Sequence, residues 1–156
     1  MKRILVPVDF SDASEKALEH AAELARAFGA TIDILHVWEV PRYLPPELVI
    51  AGPSPQQTLA ELSRARAQTE LNELVRNASG IASLIGQVRN EEGIPATKIV
   101  EVAAAGYDLI VMGSHGRTGV KHLLIGSVAE RVVRHAKTPV LSVRVPEQRK
   151  PHPQIR

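Results

Sequence analysis

The stretch MGSHGRTGVKHLLIGS, Met112 to Ser127, decides how this chain is read. It overlaps the end of an apolar run, DLIVMG (108–113), and gives way at Ser127 to a helical pattern, SVAERVVRH. A short apolar run bounded by turn residues reads as a strand. Strand, polar loop and helix therefore follow one another here. The loop holds four glycines, two histidines, Arg117 and Lys121. Glycine permits backbone conformations and close approaches that side chains forbid.

The same unit recurs outward in both directions. RILVPV (3–8), TIDILHV (31–37), SLIGQV (83–88), DLIVMG (108–113) and PVLSVRV (139–145) are the five strand candidates. Four helical patterns alternate with them. The first spans Asp12 to Phe28, with Ala17, Ala21, Leu24 and Phe28 at helical spacing and Gly29 as its stop. The second opens at SPQQ, where Ser54 caps, Pro55 fits the first turn and Gln57 completes a capping box; it runs to about Ala78. The third begins at Pro95 and stops before Gly106, and the fourth begins near Ser127 and ends in the basic turn RHAK before Pro139. Strict alternation implies an α/β fold, a parallel sheet with helices on both faces. The first and fourth strands are almost wholly apolar and belong inside that sheet. The fifth alternates Leu141, Val143 and Val145 with Ser142 and Arg144, as an edge strand does. Such an edge finds a partner or stays solvated; we expect a homodimer through Val140 to Val145.

The 156 residues suit one domain, 1–145, followed by a polar tail, 146–156. At 44% hydrophobic and 23% charged the composition is that of an ordinary globular protein, and with 3% aromatic the core must be aliphatic. No apolar run is long enough to span a bilayer. The apolar start is too short for a signal peptide and runs into Asp9 and Asp12. With no cysteine there is neither a disulfide framework nor a thiolate metal site. These features together lead us to expect a cytoplasmic protein. A net charge of +2, scattered basic residues and few aromatics argue against nucleic-acid binding. The proline-rich segment from Trp38 to Ser54 is long enough to be a functional loop.

In open parallel sheets, ligands bind beyond the carboxyl ends of the strands where strand order reverses. The opening stretch then reads as an anion site. Successive N–H groups of a glycine-bearing loop can form a nest, and a helix starting at Ser127 turns its unpaired N–H groups and positive dipole end toward the same anion. Gly126 leaves room, the Ser127 hydroxyl can donate, and Arg117 and Lys121 add charge. Each piece also has a plainer reading. Gly113 can simply end a strand, and Ser127 with Glu130 forms a capping-box pattern. The stretch matches neither the P-loop pattern nor G-x-G-x-x-G. Of the histidines, His36 reads as a packed core residue and His115 as either a phosphate neighbour or an exposed loop residue. His20, His122, His135 and His152 lack metal-ligand spacing, and no metal site is assigned.

MGSHGRTGVKHLLIGSVAERVVRHAKTPVLSV resembles the C-terminal half of the universal stress protein family, with its glycine pattern Gly113-two residues-Gly116-nine residues-Gly126-Ser127 intact. ILVPVDFSDASEKAL, ILHVWEV and GYDLIVMGSHGRTG resemble the family's first, second and fourth strand regions. The resemblance spans nearly the whole chain apart from the tail and middle loop. It implies a Rossmann-like open sheet of five parallel strands in the order 3-2-1-4-5, and ATP as ligand, with Mg2+ carried on the phosphates. By that resemblance Pro7 and Asp9 lie beside the adenosine, with Asp9 accepting a ribose hydroxyl unless it caps the first helix. Val37 offers backbone to the adenine edge. Met112 and Gly113 line base and ribose. His115 lies in the motif, and Gly116, Arg117, Gly126, Ser127 and Val128 surround the phosphates. The implied role is regulatory, through control of a dimer or of an unidentified protein partner. A slow ATPase or self-phosphorylating enzyme, or a nucleotide-free dimeric scaffold, is the alternative.

Overall fold

The computed structural model describes residues 1–39, 44–45, 47–50, 57–115 and 125–145. Arg3–Val8 forms β1, Asp12–Phe28 α1, Thr31–Trp38 β2, Leu59–Asn77 α2 and Ile85–Glu92 β3. Pro95–Ala103 forms α3, Leu109–Gly113 β4, Ser127–His135 α4 and Val140–Val143 β5. The strands make one parallel sheet in the order β3-β2-β1-β4-β5, which is the order that the resemblance implied. A two-residue antiparallel ladder, Val49–Ile50 with Gln57–Thr58, lies between β2 and α2 in the chain, and a 3-10 turn, Ser79–Leu84, precedes β3.

Period-two alternation divides the core between the two faces. Ile4, Val6 and Val8 of β1 join Ile32 and Ile34 of β2 in a cluster covered by α1 and α2. Leu5 and Leu35 lie in a second cluster, with Ile99 and Val102 of α3 and Ala129 and Val132 of α4. A fully buried Leu or Ile contributes roughly 1.5–3 kcal/mol, so β1, inside both clusters, anchors the fold.

Helix α1 has the expected bounds. The Ser11 side chain accepts from the Ser14 amide at its start, and Gly29 ends it at φ 64°, the left-handed conformation that glycine adopts without strain. Ala13, Ala17, Ala21, Ala22 and Ala25 form its buried side. These short side chains let the helix lie close to the sheet. A Cβ built on Gly113 would fall 2.9 Å from both the Cβ and the carbonyl carbon of Ala13. Gly113 is therefore a packing glycine, needed where α1 crosses β4.

Three expectations require correction. Gln57 sits in the short ladder, and α2 starts later, at Leu59. Its cap is Thr58: Glu61 N–H donates to the Thr58 hydroxyl at 3.2 Å, and Thr58 N–H donates to the Glu61 carboxylate at 2.8 Å. Glutamate at the third position both bonds the cap amide and complements the helix dipole, whereas Gln57 stands before the cap. Ser54 and Pro55 lie outside the described residues. Second, β3 is displaced from 83–88 to 85–92, because Ser83 and Leu84 complete the 3-10 turn and the polar run RNEE continues the strand beside β2. Third, β5 is an edge strand as expected, but its alternation is incomplete: Val143 is buried, while Leu141 and Val145 are 40% and 46% exposed. The α1-side cluster takes in Val143 and not Leu141.

Candidate functional site

β1 and β4 are adjacent, and the sheet order reverses between them. Beyond their carboxyl ends lies a cavity of about 130 Å³. Eight expected residues share its wall: Pro7, Asp9, Met112, Gly113, His115, Gly126, Ser127 and Val128. Val37 is outside that wall, half-buried against the α3/α4-side cluster and paired with Glu91. Gly116, Arg117 and Lys121 lie outside the described residues. Val8, Ser14, Ile99, Ser114 and Ala129 also line the cavity and were not singled out from sequence. Ser114 follows Gly113 directly, and Ser14 lies one turn into α1, so both had a positional signal. Ile99 had none, because α3 reaches the crevice only by packing.

Two helix starts meet here, and they differ. At α1 the Asp9 carboxylate accepts from the Ser11 amide at 3.2 Å and from the Ser11 hydroxyl at 2.5 Å. The Ser14 hydroxyl donates to the Ser11 carbonyl at 2.9 Å. Asp9 thus supports the capping serine and is not itself the cap. Between them Phe10 takes φ 63°, which is uncommon for a large side chain. Its ring stands 4.4 Å from that of His36, which is buried with Nδ1 2.8 Å from the Val8 carbonyl. A carbonyl only accepts, so Nδ1 carries the proton. His36 is the packed residue the sequence indicated.

At α4 the cap is Gly126, and no side chain bonds there. The expected box of Ser127 with Glu130 does not form. Ser127 is already the first helical residue, one position too late to cap, and Glu130 accepts from Arg134 at 2.6 Å instead. The Gly126 amide donates to the Ser114 carbonyl at 2.6 Å. The amides of Ser127 and Val128 stand in the first turn, where a helix supplies no acceptor of its own. Ser114 is pinned on three sides. Its amide donates to Val143 at 2.7 Å, its carbonyl receives Gly126, and its hydroxyl lies 2.9 Å from His115 Nδ1.

The wall is divided chemically. Pro7, Ile99, Met112 and Val128 present apolar surface; Ser14, Ser114, His115 and Ser127 are polar, and Asp9 brings a carboxylate. A flat apolar group, a hydroxyl and an anion at the α4 start would all be accommodated. A larger hollow, about 310 Å³, lies between α1, α2 and the 3-10 turn. Its polar rim includes Glu15 and Glu19, which repel anions.

Toward the amino ends of the strands, Asp33 is buried and satisfied by three donors: Arg3 Nη2 at 2.7 Å, Tyr107 hydroxyl at 2.7 Å and Gln87 amide at 2.8 Å. The Arg3 guanidinium also lies 4.2 Å from the Tyr107 ring centroid. A Cβ on Gly86 would meet Asp33 Oδ1 at 2.6 Å. Burial pushes the Asp33 carboxyl up, but the three donors together hold it below the usual aspartate value. The network was not anticipated from sequence.

An open parallel sheet with helices on both faces and a crevice at its reversal point defines the doubly wound α/β class. Within it, the chain belongs to the universal stress protein family, whose model matches residues 1–144. It is similar to universal stress protein MJ0531 of Methanocaldococcus jannaschii, 36% identical over 148 residues that cover 94% of this chain and 84% of that protein. Among solved structures it is similar to UspA from Lactobacillus plantarum, with TM-score 0.75 and 29% identity over 92% of this chain and 97% of that one. A universal stress protein solved in complex with cAMP is also similar, with TM-score 0.62 and 25% identity over 92% of this chain and 96% of that one. Among the described residues no helix is long and apolar enough to cross a membrane.

Proposed function

We propose that this chain binds ATP in the crevice and acts as a regulatory protein whose contacts with a partner or a second copy depend on nucleotide. The observation that carries the reading is the contrast between the two helix starts. α1 is closed by Ser11, while α4 enters the crevice with its first-turn amides and the Ser127 hydroxyl available to phosphate. The relative bound to cAMP supports an adenine nucleotide as the ligand class. In this arrangement Ser127 and Val128 hold phosphate, Asp9 accepts a ribose hydroxyl, and Pro7, Met112 and Gly113 lie along the base and ribose. Mg2+ rides on the phosphates.

Nucleotide released on denaturing the purified protein, identified by mass spectrometry, and calorimetric titration with ATP, ADP and AMP test this. No heat at millimolar ATP overturns it. Ser127→Ala separates the two roles of that hydroxyl. Stability should stay within about 0.5 kcal/mol, while ATP affinity falls about five- to tenfold, the worth of one hydrogen bond. The opposite pattern would assign the hydroxyl to the helix.

A second copy is proposed to pair along β5, where Leu141 and Val145 are exposed. Leu141→Glu is expected to halve the sedimenting mass without unfolding the chain. Val143 does not serve for this test, since a charge there would enter the core.

A further inference from the structure

The outer surface of α3 and α4 carries an unbalanced charge beside a groove. Its hollow, about 230 Å³, is lined by Ala96, Thr97 and Val100 of α3 and by Arg131 and His135 of α4. Ala96 and Val100 lie one turn apart on their helix, as Arg131 and His135 do on theirs, so an aliphatic strip faces a basic one. Both acids on these helices are already engaged: Glu101 with Lys98 at 3.2 Å and Glu130 with Arg134 at 2.6 Å. Among the described residues no ion pair holds Arg131. His135 Nδ1 lies 2.8 Å from the Arg131 carbonyl, which accepts from it, and this fixes the ring against its own helix.

We propose that this groove docks an acidic segment of a partner protein, an extended run in which carboxylates alternate with aliphatic side chains. The carboxylates meet Arg131, and the aliphatic groups lie over Val100 beside Ala96. The charge left uncompensated on the helices selects an acidic occupant over a basic one. The inference goes beyond the nucleotide reading and does not depend on it, because the groove lies on the outer side of helices whose other faces line the crevice.

The probe is a fluorescein-labelled octapeptide of alternating leucine and glutamate, with the leucine–lysine octapeptide as its control. Fluorescence anisotropy at low salt should give saturable binding of the acidic peptide alone, weakening as salt is raised. Arg131→Glu and Thr97→Trp alter exposed positions, the first reversing the charge and the second filling the groove. Each should weaken binding about tenfold or more, with unchanged thermal unfolding. Amide shifts on titration should fall on α3 and α4. The proposal is overturned by the absence of saturable binding at millimolar peptide, by equal binding of the lysine peptide, by retained affinity in both variants, or by shifts confined to another surface.

Discussion

Gly113→Ala is expected to destabilise the fold by about 1–3 kcal/mol, the usual effect of forcing a methyl into a packed interior, and Gly113→Val by more. The added Cβ would meet Ala13 at 2.9 Å, inside any contact that real Cβ atoms make. Either α1 lifts from β4 or the strand bends. Urea unfolding checks this: the midpoint should fall while the slope is kept. Coupling to Ala13→Gly should be positive and incomplete. Removing the Ala13 methyl frees one contact, but its carbonyl carbon is equally close and cannot be removed. A Gly113→Ala chain as stable as the parent would show that α1 does not bear on β4 here.

The second large effect is expected at Asp33. Replacing it with alanine strands the Tyr107 hydroxyl, the Gln87 amide and the Arg3 guanidinium together. The expected loss is about 2–3 kcal/mol, below the full effect of breaking a buried pair because Arg3 is partly exposed. The pH dependence follows in sign. Asp33 titrates lower in the fold than in the unfolded chain, so its contribution is complete above the unfolded value, about pH 4, and is lost as pH falls through the depressed folded value. Tyr107 mirrors it. Burial and the bond to Asp33 hold its hydroxyl above the usual tyrosine value, so its contribution is intact below about pH 10 and is lost as pH rises through the raised one. Urea midpoints across pH should show both shoulders in the parent chain and a flatter acid limb in Asp33→Ala. An unchanged acid limb would place the acid sensitivity elsewhere, for example at Asp108, whose carboxylate accepts from the Lys2 and Arg3 amides.

Much of this was legible because the signals are local. α1 carries its alanine period and its stop within one continuous segment, and its bounds follow, although its cap is Ser11 and not Asp9. β1 and β4 are nearly uniform apolar runs between turn residues. The crevice was legible through the resemblance, which implied where strand order reverses and named eight of the residues that line it. What was hidden is non-local. Arg3 and Asp33 are 30 residues apart, and Asp33 and Tyr107 are 74 apart; only the finished sheet joins them. The polar half of β3 fell outside the expected strand because strand character there comes from its pairing with β2, not from its own side chains. Gly113 was misleading in a different way. The sequence suggested access for a ligand, and the structure adds a demand from α1 that no local pattern announces. Ser127 was placed one residue off its capping role, which leaves its hydroxyl to the crevice.

The two borders of the sheet are unlike. β3 is eight residues long and carries Arg89 paired with Glu91 at 2.7 Å, followed by Glu92, so an incoming strand would meet charge along its second half. β5 is short and offers Leu141, with Val145 just beyond it. A sheet that can be extended from only one border closes upon itself after a single addition, because the copy arriving at β5 presents its own charged border outward. Association through β5 would therefore stop at a finite object. The charges on β3 are what would keep this protein from growing into fibres.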